Sequence, residues 1–143
     1  MTANELAAAY FDKARARIRV LELLAELGAH SDVVREAQEL VELALKGMLR
    51  WVGIDPPKWH DVGPVLLEQE DMFSAALRPS LPRLAAISLR LRKERETAFY
   101  GDIDLIPTQL YGPEDSQRAI AEARFVLDCV GQLERLHRPG AGD

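Results

Sequence analysis

Apolar residues recur at three- and four-residue steps along almost the whole chain, and no alternating run is long enough to read as a strand. Leu6, Ala7, Tyr10, Ala14, Ile18, Leu21, Leu24 and Ala25 form one stripe, which predicts a first helix from about Ala3 to Leu27. Gly28 is its stop, because glycine adopts the left-handed conformation that closes helix ends without steric cost. Ser31 or Asp32 then supplies the N-cap of a second helix that reaches about Val52. Its inner stripe is Val34, Ala37, Leu40, Val41, Ala44, Met48 and Trp51 or Val52. Glu39, Glu42, Lys46 and Arg50 occupy the other face, with Glu42 four residues before Lys46 in the favourable order. Gly53 ends the helix, and the two prolines of "GIDPPKWHD" make the following segment a rigid loop.

Pro64 suits the first turn of a short helix running to about Phe73, or as far as Leu77. "RPSLPR" resets the chain, and Ser80 caps a fourth helix whose inner stripe is Leu81, Leu84, Ala85, Ser88 and Leu91 and which runs toward Phe99. "YGDIDLIPTQLYGPED" is a long irregular link. Pro113 or Ser116 begins the last helix, with Ala119, Ile120, Ala123, Val126, Leu127, Val130 and Leu133 on its stripe. The expected fold is therefore all-α, an up-and-down bundle of four long helices and one short one. It forms a single domain over residues 1–136, with residues 137–143, "HRPGAGD", as a flexible tail.

Composition narrows the function classes. The chain has 143 residues, 48% of them hydrophobic and 29% charged, which fits one globular domain with a real core. Its net charge of −5 argues against a duplex-DNA binder, which is normally basic overall. Charge is uneven, however: "KARARIR" (Lys13 to Arg19) and "RLRKER" (Arg90 to Arg95) are basic clusters in an acidic chain. Glu5, Asp12 and the cations after them break any secretory leader, and no stretch is long and apolar enough to span a membrane, so a cytoplasmic protein is expected. The lone Cys129 lies in an apolar helical run and reads as a small core residue. His30, His60 and His137 lack metal-ligand spacing, and glycine-rich phosphate loops and nucleophile elbows are missing, so neither a metal nor a cofactor is expected.

Two segments carry candidate chemistry. In the fourth helix the series Leu81, Ser88, Arg95 puts Arg95 on the core-facing phase, while Arg90 and Lys93 can stay in water. A guanidinium on that phase must be paired or line a wet cleft. Either Arg92 pairs with Glu96 on the surface while Arg95 extends to solvent at the helix end, or Arg92, Arg95 and Tyr100 form a polar site whose arginine forks bind phosphate. In "PKWHD", Lys58, His60 and Asp61 could move a proton or bind an anion; alternatively Trp59 plugs the core while His60 and Asp61 cap the short helix.

"SDVVREAQELVELALKGMLRWVGIDPPKWHDVGPVLLE", then "RKERETAFYGD", then "YGPEDSQRAIAEARFVLDCVGQLERL", in this order after a long first helix, resemble a HEPN domain over about Ala3 to Leu136. Lys46 in the second helix and the "PKWHD" loop match the family's pattern best. The resemblance implies a four- or five-helix bundle that forms a homodimer, often paired as a toxin–antitoxin system with a minimal nucleotidyltransferase (MNT). Toxic members are metal-independent ribonucleases. Their arginine and histidine act across the dimer on the scissile phosphate and the ribose 2′-hydroxyl, and a tyrosine two places after the histidine can receive AMP from the nucleotidyltransferase. Aligned on Tyr100, the histidine position here is Ala98 and the arginine position Lys93. Tyr100 carries over, and Arg92 or Arg95 replaces the arginine by a shift of register. Ala98 cannot supply the group that titrates near neutrality, so no catalytic residue is assigned.

The expectation is a dimeric binding or regulatory subunit for an MNT-type partner, holding nucleotide or RNA at Arg92, Arg95, Glu96, Tyr100 and Asp102, with Lys46, Lys58, His60 and Asp61 as secondary candidates. One alternative is a ribonuclease using Arg95 with Tyr100 or His60. Another is a helical dimerisation scaffold without a ligand.

Overall fold

A computed structural model describes residues 2–58, 61–95 and 110–136 in full and the backbone of residues 96–100. Four long helices and one short one make up the described chain: α1 (Ala3–Glu26), α2 (His30–Trp51), α3 (Gly63–Glu68), α4 (Leu81–Tyr100) and α5 (Pro113–Leu136). One-turn 3-10 segments at Glu70–Met72 and Arg78–Ser80 connect α3 to α4. No strand is present among the described residues, so the all-α bundle is borne out. No helix among them is long and apolar enough to cross a membrane.

Helix ends follow local chemistry. Thr2 and Glu5 form a reciprocal capping box: the Glu5 amide donates to Thr2 Oγ1 at 3.1 Å and the Thr2 amide donates to Glu5 Oε2 at 2.9 Å. Gly28 (φ +74°) and Gly53 (φ +88°) occupy the left-handed region. After α1 the Ala29 amide donates to the Leu24 carbonyl at 2.9 Å, and after α2 the Ile54 amide donates to the Leu49 carbonyl at 2.9 Å. Both expected glycine stops are thus Schellman closures. The expected Ser31 or Asp32 cap of α2 is not. The turn at Gly28 is so tight that the helix already starts at His30, behind Ala29 with no side-chain cap, and Ser31 is buried inside it.

The middle of the bundle is α2, packed by α1, α4 and α5. With neighbours on three sides its buried face is wider than a single stripe: Val33, Leu45 and Leu49 join the expected Val34, Ala37, Leu40, Val41, Ala44 and Met48. Fully burying a side chain of the size of leucine or valine stabilises by about 1.5–3 kcal/mol, so α2 dominates the core. Gly47 lets α1 approach, since a Cβ there would lie 2.7 Å from Phe11 Cε1. Phe11, absent from the expected stripe of α1, fills that space fully buried, its ring 5.6 Å from that of Trp51. Cys129 is buried as expected. Burial raises its thiol pKa, partly countered by the nearby Ser80 hydroxyl. The expected Ser80 cap falls at the end of the 3-10 turn, where the Ser80 amide donates to the Leu77 carbonyl at 2.9 Å.

The third helix stops at Glu68, short of the expected Phe73. Gln69 leaves helical geometry, and Arg78 Nε donates to the carbonyls of Glu70 (3.2 Å) and Phe73 (3.0 Å), which serves carbonyls a continued helix would have used. Phe73 and Leu77, on this connection, are both buried in the core.

Candidate functional site

Three faces of α4 carry the candidate residues. On the α2 side, Arg95 does not enter the core: its side chain is 44% exposed, and Nη2 meets Glu39 Oε1 of α2 at 2.6 Å. The helical phase put Arg95 toward α2, and its length lets the guanidinium reach past the apolar stripe to an acid on the rim. Arg92 is exposed one turn earlier. The side chains of Glu96 and Tyr100 lie outside the described residues, as does Asp102. Among the secondary candidates Lys46 pairs with Glu42 at 3.7 Å, as the sequence order suggested, and Lys58 is exposed. Trp59 and His60 lie outside the described residues. Asp61 acts structurally: Oδ1 accepts from the Gly63 amide at 3.2 Å and from Ser88 Oγ at 2.9 Å, which ties the segment entering α3 to α4, while the N-cap position itself is Val62, without a side-chain cap bond.

The α5 side of α4 differs most from expectation. Arg90, assigned to water by helical phase, has a side chain only 25% exposed. It forms an ion pair with Glu122 of α5, and its Nε donates to Glu122 Oε2 at 3.3 Å. Arg118 Nε meets the same carboxylate at 3.2 Å. One helix turn group further along, the Arg83 guanidinium stacks 3.8 Å over the Phe125 ring. Arg83, Arg90, Arg118 and Glu122, over a floor of Ala86, Ile87 and Ala121, line an open groove of about 470 Å³. Three guanidiniums against one carboxylate leave +2 in the groove of a chain whose net charge is −5.

Further toward the end of α4, Lys93, Glu94, Leu110, Tyr111 and Asp115 line a recess of about 360 Å³. The Tyr111 hydroxyl donates to Glu94 Oε2 at 2.6 Å. Burial raises the pKa of this phenol, and the bond to Glu94 adds to the shift. Beneath the same end, His30 Nδ1 lies 2.6 Å from Ser116 Oγ and joins the starts of α2 and α5.

The arginine groove, Tyr111 and His30 all escaped the sequence reading. A signal existed: Arg83 and Arg90 sit two turns apart on α4, while Arg118, Glu122 and Phe125 share one face of α5. What this arrangement can do is bind an anion. Guanidinium forks match phosphate oxygens, and stacking on Phe125 restrains Arg83. Among the described residues no group of three or more His, Cys, Asp or Glu is placed to hold a metal.

A family model described as HEPN domain matches residues 7–134. Comparison with curated proteins and with solved structures found no match.

Proposed function

Since the chain belongs to the HEPN domain family, we propose that it is a dimeric binding or regulatory subunit that holds a phosphate-bearing ligand, a nucleotide or RNA, along α4 and does not cleave it. The observation that carries this reading is the set of arginines on α4. Arg83 and Arg90 face α5 over a groove of net charge +2, and Arg95 reaches out on the α2 side. A family whose work concerns nucleotides or RNA gives that cationic helix a natural ligand.

Several features favour binding over cleavage. Position 98, where the family's nucleases would carry histidine, is alanine. His30 is nine residues from Glu39, the partner of Arg95, and so about 13 Å away along α2. Its Nδ1 is engaged with Ser116. Asp61, a candidate for proton transfer, has Oδ1 occupied by two donors. General acid–base catalysis needs a titratable group within hydrogen-bond reach of the reacting proton, and none of these groups meets that condition beside Arg95. A minimal nucleotidyltransferase is the partner this reading expects.

Equilibrium titration of a labelled nucleoside triphosphate and of a short single-stranded RNA tests the reading. Binding should weaken as salt rises, and Arg83→Ala with Arg118→Ala should weaken it further. Salt-independent binding, or affinity indifferent to all the α4-side arginines, would refute it.

A further inference from the structure

The groove between α4 and α5 is charged at its ends and apolar in its middle. At one end Arg90 and Arg118 converge on Glu122. At the other the Arg83 guanidinium lies 3.8 Å over the Phe125 ring. Arg83 and Arg90 are seven residues apart on α4, and Arg118 and Phe125 are seven apart on α5, so about 10 Å separates the two ends. Between them the lining is Ala86, Ile87 and Ala121, side chains without a polar atom. A groove that met only phosphate oxygens would need donors along its length, and this one offers guanidiniums only at its ends.

We propose that the Arg83 end and the apolar middle take an unpaired nucleobase, while Arg90 and Arg118 hold the phosphate that comes with it. The arginines are differently committed. Arg90 and Arg118 share one carboxylate, and a phosphate can take over the same fork donors. Arg83 forms no ion pair with a carboxylate among the described residues. One face of its guanidinium is backed by the half-buried Phe125 ring. Arg83 itself is exposed and lines the groove, so its other face is available to a flat ligand. Bases stack on guanidinium planes, and the ring beneath restrains this one from turning. A base lying there would also remove the exposed methyls of Ala86 and Ala121 from water.

This base site rests on the anion-binding groove proposed above and narrows its ligand. A base inside a duplex is already stacked on its neighbours and cannot lie on Arg83, so the ligand is a free nucleotide or an unpaired stretch of RNA. Every base has a π-face, and the middle of the groove holds no donor or acceptor that could read a base edge. Purines should therefore bind only modestly tighter than pyrimidines, with little distinction between adenine and guanine.

Calorimetric titration of the full chain with a purine nucleoside triphosphate and with inorganic tripolyphosphate tests it, since the second ligand keeps the phosphates and lacks the base. The nucleotide should bind about tenfold or more tighter. Arg83→Lys keeps the charge but loses the plane, and Phe125→Leu removes the backing ring. Each should lower the ratio of the two affinities by about threefold or more, with circular dichroism as a check on folding. A short single-stranded RNA should also bind more tightly than a blunt duplex of the same sequence, and the tighter of nucleotide and single strand identifies the source of the base. Tripolyphosphate bound as tightly as the nucleotide, a ratio unmoved by Arg83→Lys, or a duplex that matches the single strand would each overturn the base site while the anion-binding reading stands. Failure of nucleotide, tripolyphosphate and RNA alike to bind would overturn both.

Discussion

Exchanging Glu122 for glutamine should move stability and ligand affinity in opposite directions. The carboxylate is 13% exposed and holds two guanidiniums, Arg90 and Arg118. Arg118 is mostly exposed, and such a pair contributes about 0–1 kcal/mol. Arg90 is largely covered, and its charged hydrogen bonds contribute about 1.5–3 kcal/mol, part of which the glutamine carbonyl retains. The expected net loss is about 1–2 kcal/mol, a fall in Tm of roughly 3–7 °C for a chain of this size. The groove meanwhile goes from +2 to +3. One unit charge about 6 Å from a bound phosphate, at an effective dielectric constant between about 40 and 80, is worth about 0.7–1.4 kcal/mol, so affinity for an anionic ligand should rise about three- to tenfold. Calorimetric melting and a fluorescence titration of nucleoside triphosphate at low salt read the two effects on one sample. A destabilised variant with unchanged or weaker affinity would mean that the groove is a structural ion-pair cluster and not the binding surface.

Two further substitutions probe the frame that positions α4. Gly47→Ala gains about 1 kcal/mol of helix propensity but drives a methyl to 2.7 Å from Phe11 Cε1, in a space where Phe11 is fully buried beside Trp51. Overpacking of about 1–3 kcal/mol should win, so denaturant melts should show a net loss of about 1 kcal/mol, and a gain would show that Phe11 can give way. Tyr111→Phe should change the alkaline limb of stability. The folded phenol titrates above its ordinary value near 10. Its contribution is therefore complete below pH 10 and is lost as the pH climbs from there toward the raised pKa. The phenylalanine variant should show a shallower loss above pH 10 than the parent, and identical slopes would contradict the burial and Glu94 bond that cause the shift.

Local features of the chain were readable because their causes are local. Gly28 and Gly53 announce helix ends since left-handed backbone is needed there whatever packs around them. The stripe of α2 was equally plain, although three neighbours bury more of that helix than one stripe suggests. The site was harder because its determinants lie far apart in sequence. A helical wheel of α4 taken alone assigns Arg90 to water; the helix that covers it, and the carboxylate that pairs with it, arrive 32 residues later. Arg95 shows the converse. Its phase toward the core was right, but a wheel has no term for side-chain length, and the guanidinium reaches Glu39 on the rim. The Asp61 bond to the Gly63 amide needed only the next two residues, whereas its bond to Ser88 depended on tertiary approach.

The central claim is that α4 binds a phosphate-bearing ligand without catalysing its cleavage. Incubating the purified chain with end-labelled single-stranded RNA, and following retention and fragment length in the same samples, tests it most directly. The account predicts retained, full-length RNA, with retention reduced by Arg83→Ala with Arg118→Ala and by Arg95→Ala. Progressive cleavage by the parent protein that Arg95→Ala abolishes would contradict it.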